Sequence, residues 1–328
     1  MEKILVVGDT HLGLYQSKDT WLNITLGLFR EIVDVCQRKD IYTILHLGDF
    51  FHERKILNIK TLAVAQEIAS ILSPVKMFLL GGNHDSFYKD RPYPTAIDVF
   101  EDVEHIHTIV DGAYNFSEEI TMVPWFGDIS QAKGLFCFGH FEISGFPINN
   151  VQYCFKGPTE AKIFKRFSHV YSGHFHMPSN KENITYLGSP FQQRFTDSGS
   201  TRGYYIFDNG EMEFIEFKDA PKFIVQHTDK KFTDMEGNIV KLIYDRDYGT
   251  NKNNKVLEEI ESLKPLELKV DFSNIKSETE ENIIDGDISL LDHNDIIKEY
   301  VMEKAILPEN INKKMLLTII EKLRKEGE

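Results

Sequence analysis

The chain has 328 residues, 41% of them apolar, and a formal net charge of −14. That length and apolar content support at least one large core and two domains. Acidic residues outnumber basic ones 27 to 20 in residues 1–218 and 24 to 17 beyond, which excludes a freestanding nucleic-acid binder built on a basic face. Lys3 to Val7 is a short apolar strand pattern that ends in Gly8-Asp9-Thr10-His11, and a helical pattern runs on through Leu22, Leu26, Phe29, Ile32 and Cys36. Ile41 to Leu47 is a second strand ending in Gly48-Asp49. A second helix (Leu62, Ala65, Ile68, Leu72) leads to a third strand, Lys76 to Leu80, ending in Gly81-Gly82-Asn83-His84-Asp85. A strand that runs into glycine, a polar group and then a helix, three times over, predicts parallel βαβ units. Ligands of such folds gather at the carboxyl ends of the strands.

Beyond residue 100 the strands shorten: 105–110, 113–117, 120–124, then Gly134 to Gly139 ending at His140. After a helix near 159–166, His169 to Ser172 ends in Gly173-His174-Phe175-His176. Ile184 to Leu187 follows, then a hairpin of 204–208 against 212–217, turned by Asn209-Gly210. These are expected to form a second sheet stacked on the first. The first domain is expected to span 1–218. Residues 219–276 are expected to form a small α/β cap, with a strand at 239–245, a helix at 253–263 and a strand at 266–272. The acidic stretch 277–289 is expected to be a linker. Two amphipathic helices are expected in 290–328, with stripes that include Ile296 and Tyr300, then Met315, Leu316, Ile319, Ile320 and Leu323. Three widely spaced cysteines, Cys36, Cys137 and Cys154, argue for a reducing compartment and are expected to be core thiols. No apolar run approaches the ~20 residues of a membrane span, and the chain enters a strand at once, so a cytoplasmic protein is expected.

The polar residues at the strand ends are Asp9, His11, Asp49, Asn83, His84, His140, His174 and His176. Carboxylates, imidazoles and one carboxamide, with no thiolate, suit borderline divalent ions such as manganese, iron or zinc better than calcium or magnesium. About seven ligands are too many for one tetrahedral ion and suit two. A shared carboxylate would hold them roughly 3.5–4 Å apart, the spacing that clamps both oxygens of a phosphoryl displacement. A lone histidine is more often structural, and His46, His105, His107, His169, His227 and His293 are assigned so.

Asp9-x-His11, Gly48-Asp49, Gly82-Asn83-His84-Asp85, Gly139-His140 and Gly173-His174-x-His176, in that order, resemble the five signature blocks of the calcineurin-like metallophosphoesterases. Within that superfamily, Gly48-Asp49-Phe50-Phe51-His52 with Arg54-Lys55, and Tyr186-Leu-Gly-Ser-Pro190 with Arg202-Gly203, resemble the nuclease subunits of SbcCD-type DNA repair complexes, above all the shorter bacteriophage recombination endonuclease subunits. The resemblance implies two stacked mixed β-sheets flanked by helices, a four-layer α/β fold. It implies that Asp9, His11, Asp49 and His176 hold one metal and Asp49, Asn83, His140 and His174 the other, with manganese as the working ion and magnesium, iron or zinc as the others to consider. His84 matches the histidine that protonates or stabilises the departing oxygen, and His52 a second active-site histidine. It also implies DNA as substrate, exonuclease action with single-strand endonuclease action, a homodimer, and a C-terminal helix-loop-helix bound to the coiled coil of an ABC-type ATPase.

Tyr153, Phe155, Lys156, Lys162, Phe164, Lys165, Arg166 and Phe167 interleave rings and cations between two ligand blocks. They read either as a DNA contact or as an amphipathic helix with a core stripe. Arg54, Lys55, Lys89 and Arg91, which follow ligand loops, are comparable candidates for backbone contacts. Two other functions stay open: a nucleotide or cyclic-nucleotide phosphodiesterase, and a catalytically inactive scaffold. Protein phosphatases are disfavoured, since their second block reads Gly-Asp-x-x-Asp-Arg-Gly and here Gly48-Asp49 is followed by Phe50-Phe51-His52-Glu53-Arg54.

Overall fold

In the computed structural model, which describes residues 2–148, 154–233, 235–246 and 248–273, Ile4–Val7 (β1) is buried at all four positions. Leu5 and Val7 pack on the helix side, with residues of Asp19–Arg38 (α1), whereas Ile4 and Val6 face a second sheet. A strand covered on both faces has no solvent side to alternate with, hence its unbroken apolar run. Thr43–His46 (β2) and Lys76–Leu80 (β3) repeat the pattern around Ile59–Ile71 (α2) and pair in parallel, β1 with β2 and β2 with β3. Ile106–Ile109 (β4) adds in parallel to β3.

The second sheet holds Tyr114–Asn115 (β5), Ile120–Val123 (β6), Phe136–His140 (β7), His169–Gly173 (β8), Ser179–Lys181 (β9) and Ile184–Tyr186 (β10), in the order β5-β6-β7-β8-β10-β9. The hairpin of Gly203–Asp208 (β11) and Glu211–Glu216 (β12) returns to the first sheet, which reads β12-β11-β1-β2-β3-β4. Both sheets are mixed, and the expected fold class holds. The expectation that strand 105–110 and the hairpin would join the second sheet is corrected: both flank the first. Asn209-Gly210, each at positive φ (49° and 94°), dictates a tight turn but carries no information about which sheet it serves. The apolar layer between the sheets includes Val6, Leu45, Phe78, Met122, Phe138 and Phe207.

Over the outer face of the second sheet, the helix expected near 159–166 is only a 3₁₀ turn, Ala161–Phe164. Phe164 and Phe167 are buried in the cluster with Val170 and Tyr186, so those two rings belong to the core and not to a base-stacking surface. Cys36 and Cys137 are buried as expected; Cys154 is exposed, a correction to the expectation of three core thiols.

Phe223–His227 (β13), Ile239–Ile243 (β14) and Glu267–Asp271 (β15), with Thr250–Ser262 (α3), form a separate parallel sheet. It has a core of its own: Met235, Val240, Leu242, Tyr244 and Ile260. The sequence reading missed β13, which starts two residues after Pro221. The described residues all fall within one compact unit, Met1–Ile275. Tyr153, His293, the linker 277–289 and the helices expected in 290–328, with Ile296, Tyr300, Met315, Leu316, Ile319, Ile320 and Leu323, lie outside the described residues. Among the described residues no helix is long and apolar enough to cross a membrane.

One buried hydroxyl ties the second sheet to the segment after β7. The Tyr186 hydroxyl accepts from the Ile143 amide (2.9 Å) and donates to the Phe141 carbonyl (3.0 Å). Tyr186→Phe strands both buried groups and is expected to lower unfolding free energy by about 1–3 kcal/mol in chemical denaturation.

Candidate metal centre

The loops after β1, β2 and β3 of the first sheet and after β7 and β8 of the second converge. Their side chains form two groups, Asp9 with His11 and His176, and Asp49 with His140 and His174, in each of which the ligand atoms lie within 4.8 Å of one another. Asp49 joins them: its Oδ2 is 3.6 Å from His11 Nε2 and its Oδ1 is 3.5 Å from His140 Nε2. Asn83 completes the second group, its Oδ1 lying 3.0 Å from His140 Nε2 and 2.9 Å from His174 Nδ1. All seven residues singled out as ligands are thus brought together.

The backbone is bent to achieve this. Asp9, His11, Asp49 and His174 all have positive φ (54°, 45°, 53° and 88°), a region that costs non-glycine residues about 1–2 kcal/mol each and that collects at functional sites. Gly82 is required for a different reason. A Cβ there would overlap the Asp49 carboxylate and main-chain nitrogen.

Asp85, closing the Gly-Asn-His-Asp string, is fully buried, and its carboxylate accepts from the amides of Gly82 (2.8 Å), Phe51 (2.9 Å) and Phe50 (3.4 Å). It fastens the loop that carries Asn83 to the loop that carries Asp49. Arg54 Nη2 donates to the Asn83 carbonyl at 2.6 Å and braces the same junction. Arg202, also buried, donates to the His176 carbonyl and pairs with Asp197 at 3.2 Å. Trp125 lies against the His174 ring, with centroids 5.0 Å apart. Asp85 was visible only as the last letter of a motif, and no spacing pointed to Trp125.

Electrostatically the cluster is a site in want of cations. Asp9 Oδ2 is buried with no hydrogen-bond partner, although such a group is costly to strand. Burial, with Asp49 nearby, pushes the Asp9 carboxyl up to about 7. Burial would raise Asp49 as well, but the charge and hydrogen bond of His140, together with His11 and His84, outweigh it and hold Asp49 well below the usual carboxylate range. His140 rises to about 9 against its own burial, because Asp49 stabilises its charge. Burial, then His140, lowers His174 to about 3; burial, then His176, drives His11 well below the usual imidazole value, and burial, then Arg194, does the same to His176. Three neutral imidazoles, an anionic carboxylate and a carboxamide oxygen are the donors a divalent ion needs. His140 donates Nδ1–H to the Leu47 carbonyl at 2.7 Å, which aims its Nε2 at the cluster.

His84 and His52 sit beside the first group. His84 donates Nδ1–H to the His52 carbonyl at 2.8 Å, and its ring meets His11 edge-on at 4.8 Å. His52 Nδ1 is 3.3 Å from His11 Nδ1. Both histidines line a cavity of about 600 Å³ with His11, Asp49, Asn83 and His174. None of the basic residues singled out as DNA contacts, Arg54, Lys55, Lys89, Arg91, Lys162, Lys165 and Arg166, lines this cavity, although Arg54 braces Asn83 at its wall. Lys162 is paired with Glu160 at 2.7 Å, Arg91 covers the Tyr88 ring at 3.8 Å, and Arg166 donates to the Ile129 carbonyl. Of the histidines assigned to structure, His46 is buried, with Nε2 3.0 Å from Thr10 Oγ1, and His105 and His169 pair with Ala69 and Thr185. His227 pairs with Asp245 at 2.7 Å on the small sheet.

Two mixed sheets whose strand ends pool carboxylates, imidazoles and a carboxamide define a metal-dependent phosphoesterase. Residues 2–225 match the family model for calcineurin-like phosphoesterases, and the chain belongs to that family. It is 26% identical over 292 residues to Exonuclease subunit 1 of Enterobacteria phage T4, covering 74% of this chain and 82% of that protein. It is 24% identical over 162 residues to the double-strand break repair protein MRE11 of Encephalitozoon cuniculi (strain GB-M1), covering 43% of this chain and 28% of that one. Among solved structures, the Pseudomonas putida nuclease MPE is similar at 17% identity and a TM-score of 0.34, covering 65% of this chain and 87% of that one.

Gly82→Ala is expected to leave a folded protein, by circular dichroism, that binds manganese at least tenfold more weakly in calorimetry, because the added methyl displaces Asp49 from between the two groups.

Proposed function

We propose that this chain is a two-metal DNA phosphodiesterase, an exonuclease with single-strand endonuclease activity, and the nuclease subunit of a recombination or repair complex. The observation that carries this reading is the Asp49 carboxylate, with one oxygen toward each group of imidazoles. The names of the relatives, an exonuclease subunit and a double-strand break repair protein, support DNA as the substrate. Asp9, His11, Asp49 and His176 would hold one ion and Asp49, Asn83, His140 and His174 the other, with manganese the ion best suited to this donor set. When bound, the pair supplies a water activated near neutral pH and neutralises charge on the phosphate.

The chain's own residues do the rest. His84 uses Nδ1 to hold the His52 carbonyl, so proton exchange falls to Nε2, within the cavity that receives the substrate. From that position the imidazole can pass a proton to the departing oxygen. Its main-chain amide meanwhile donates to Asp49 Oδ1 at 2.8 Å and steadies that carboxylate. His52, through its carbonyl, fixes the orientation of His84.

We place the protein in the cytoplasm as a homodimer, with its C-terminal helices docked on the coiled coil of an ABC-type ATPase. An acidic nuclease would then owe part of its hold on DNA to its partner.

With manganese the protein is expected to release nucleotides from linear duplex DNA and to stop when a chelator is added. His84→Ala should retain manganese and lose about 10²- to 10⁴-fold in kcat; loss of the metal instead would make His84 a ligand. Hydrolysis of a small phosphodiester with DNA left intact would point to a nucleotide phosphodiesterase, and no hydrolysis of either to a scaffold. Truncation after Asp287 is expected to leave a soluble, active enzyme that no longer co-purifies with the ATPase. An insoluble truncation would overturn the docking role.

A further inference from the structure

The cavity in front of the imidazoles is poorly equipped for a polyanion. Besides the proposed ligands and the two flanking histidines, its charged walls are Glu53, Glu142 and Arg194. Arg194 is the only lysine or arginine among the described residues that line it. A nucleic-acid strand entering here meets two carboxylates and one guanidinium, so whatever the bound ions do not neutralise falls to that guanidinium.

Its placement is built from the backbone outward. The neighbouring residue, Gln193, is buried and held on three sides: its side chain donates to the Asp9 carbonyl at 2.7 Å, its amide donates to Asp197 Oδ2 at 2.9 Å, and its carbonyl accepts from the Tyr15 hydroxyl at 2.7 Å. Arg194 itself is exposed and extends from this anchored point, with Nη2 3.1 Å from His176 Nδ1. The opposite nitrogen of that ring, Nε2, faces His11 Nε2 at 2.9 Å. The imidazole therefore stands between the guanidinium and the nitrogens that pool at the centre. The guanidinium is thus set back by one ring's width from the nitrogens that would hold the ion nearest the reacting phosphate.

We propose that Arg194 is a substrate-positioning residue whose guanidinium grips the phosphate adjacent to the one being cleaved. The assignment rests on the nuclease reading above. It separates substrates by length: a diester with a single phosphorus offers Arg194 nothing, whereas an oligonucleotide does. A bidentate fork should also outperform a point charge there.

The test compares wild type, Arg194→Gln and Arg194→Lys, with manganese, on an oligonucleotide and on bis-p-nitrophenyl phosphate. Binding of a fluorescent oligonucleotide is followed by anisotropy against salt in metal-free buffer. Arg194→Gln is expected to raise KM for the oligonucleotide about tenfold, to leave kcat within twofold, and to leave the small diester unaffected. The slope of log affinity against log salt should fall by about 0.7–0.9, one phosphate contact. Arg194→Lys should keep the slope and recover part of the KM. If Arg194→Gln matches wild type on DNA, or loses as much on the small diester as on DNA, the assignment is wrong while the nuclease reading stands. Wild type that hydrolyses the small diester but neither binds nor cuts DNA ends both.

Discussion

A carboxylate sealed from water has to be surrounded by donors, and the way Asp49 is surrounded organises the rest of this molecule. Burial alone would favour its protonation; the charge of His140 and the amide of His84 hold it anionic instead. Those two groups come from different sheets, so the sandwich has to close with the strand ends in register before the carboxylate is stabilised. The same constraint explains the left-handed backbone at Asp9, His11, Asp49 and His174. Unfavourable torsions survive where the surroundings over-determine them, and here the surroundings are two packed sheets and a set of buried hydrogen bonds.

Asp85 shows how that over-determination is achieved. It touches no proposed ligand side chain, yet it takes the amides of Gly82, Phe50 and Phe51 into one buried carboxylate. Burial, with Asp49 nearby, pushes it up to about 7. The centre is thus ringed by groups whose protonation is set by one another, and its geometry and its charge cannot be altered independently.

Much of this was legible in the sequence because the relevant signals are local. A strand, a glycine and a ligand within a few residues declare themselves, and Asp9, His11, Asp49, Asn83, His140, His174 and His176 do converge. What failed to show depends on partners far away in the chain. The hairpin turn at Asn209-Gly210 is a local signal, but its attachment to β1 depends on Ile4 meeting Phe207. The rings of Phe164 and Phe167 are interleaved with cations as a DNA contact would be, and only the packing reveals them as core. Arg194 follows no ligand loop and belongs to no basic run, and its meaning comes from His176, eighteen residues earlier. β13 escaped notice because its first residue, Phe223, is secured by Gln192, whose side chain accepts from its amide at 2.7 Å.

The donors of the centre are divided between the sheets: Asp9, His11, Asp49 and Asn83 come from one, His140, His174 and His176 from the other. Ions seated among them would rivet the two halves of the sandwich at one rim, whereas away from it the sheets are held by the apolar layer and a few side-chain hydrogen bonds such as that from the Tyr205 hydroxyl to the Leu187 carbonyl. Stripped of metal, the protein would loosen from the rim that carries these donors. Heat tolerance would then track metal supply, so that a starved enzyme becomes fragile as well as idle.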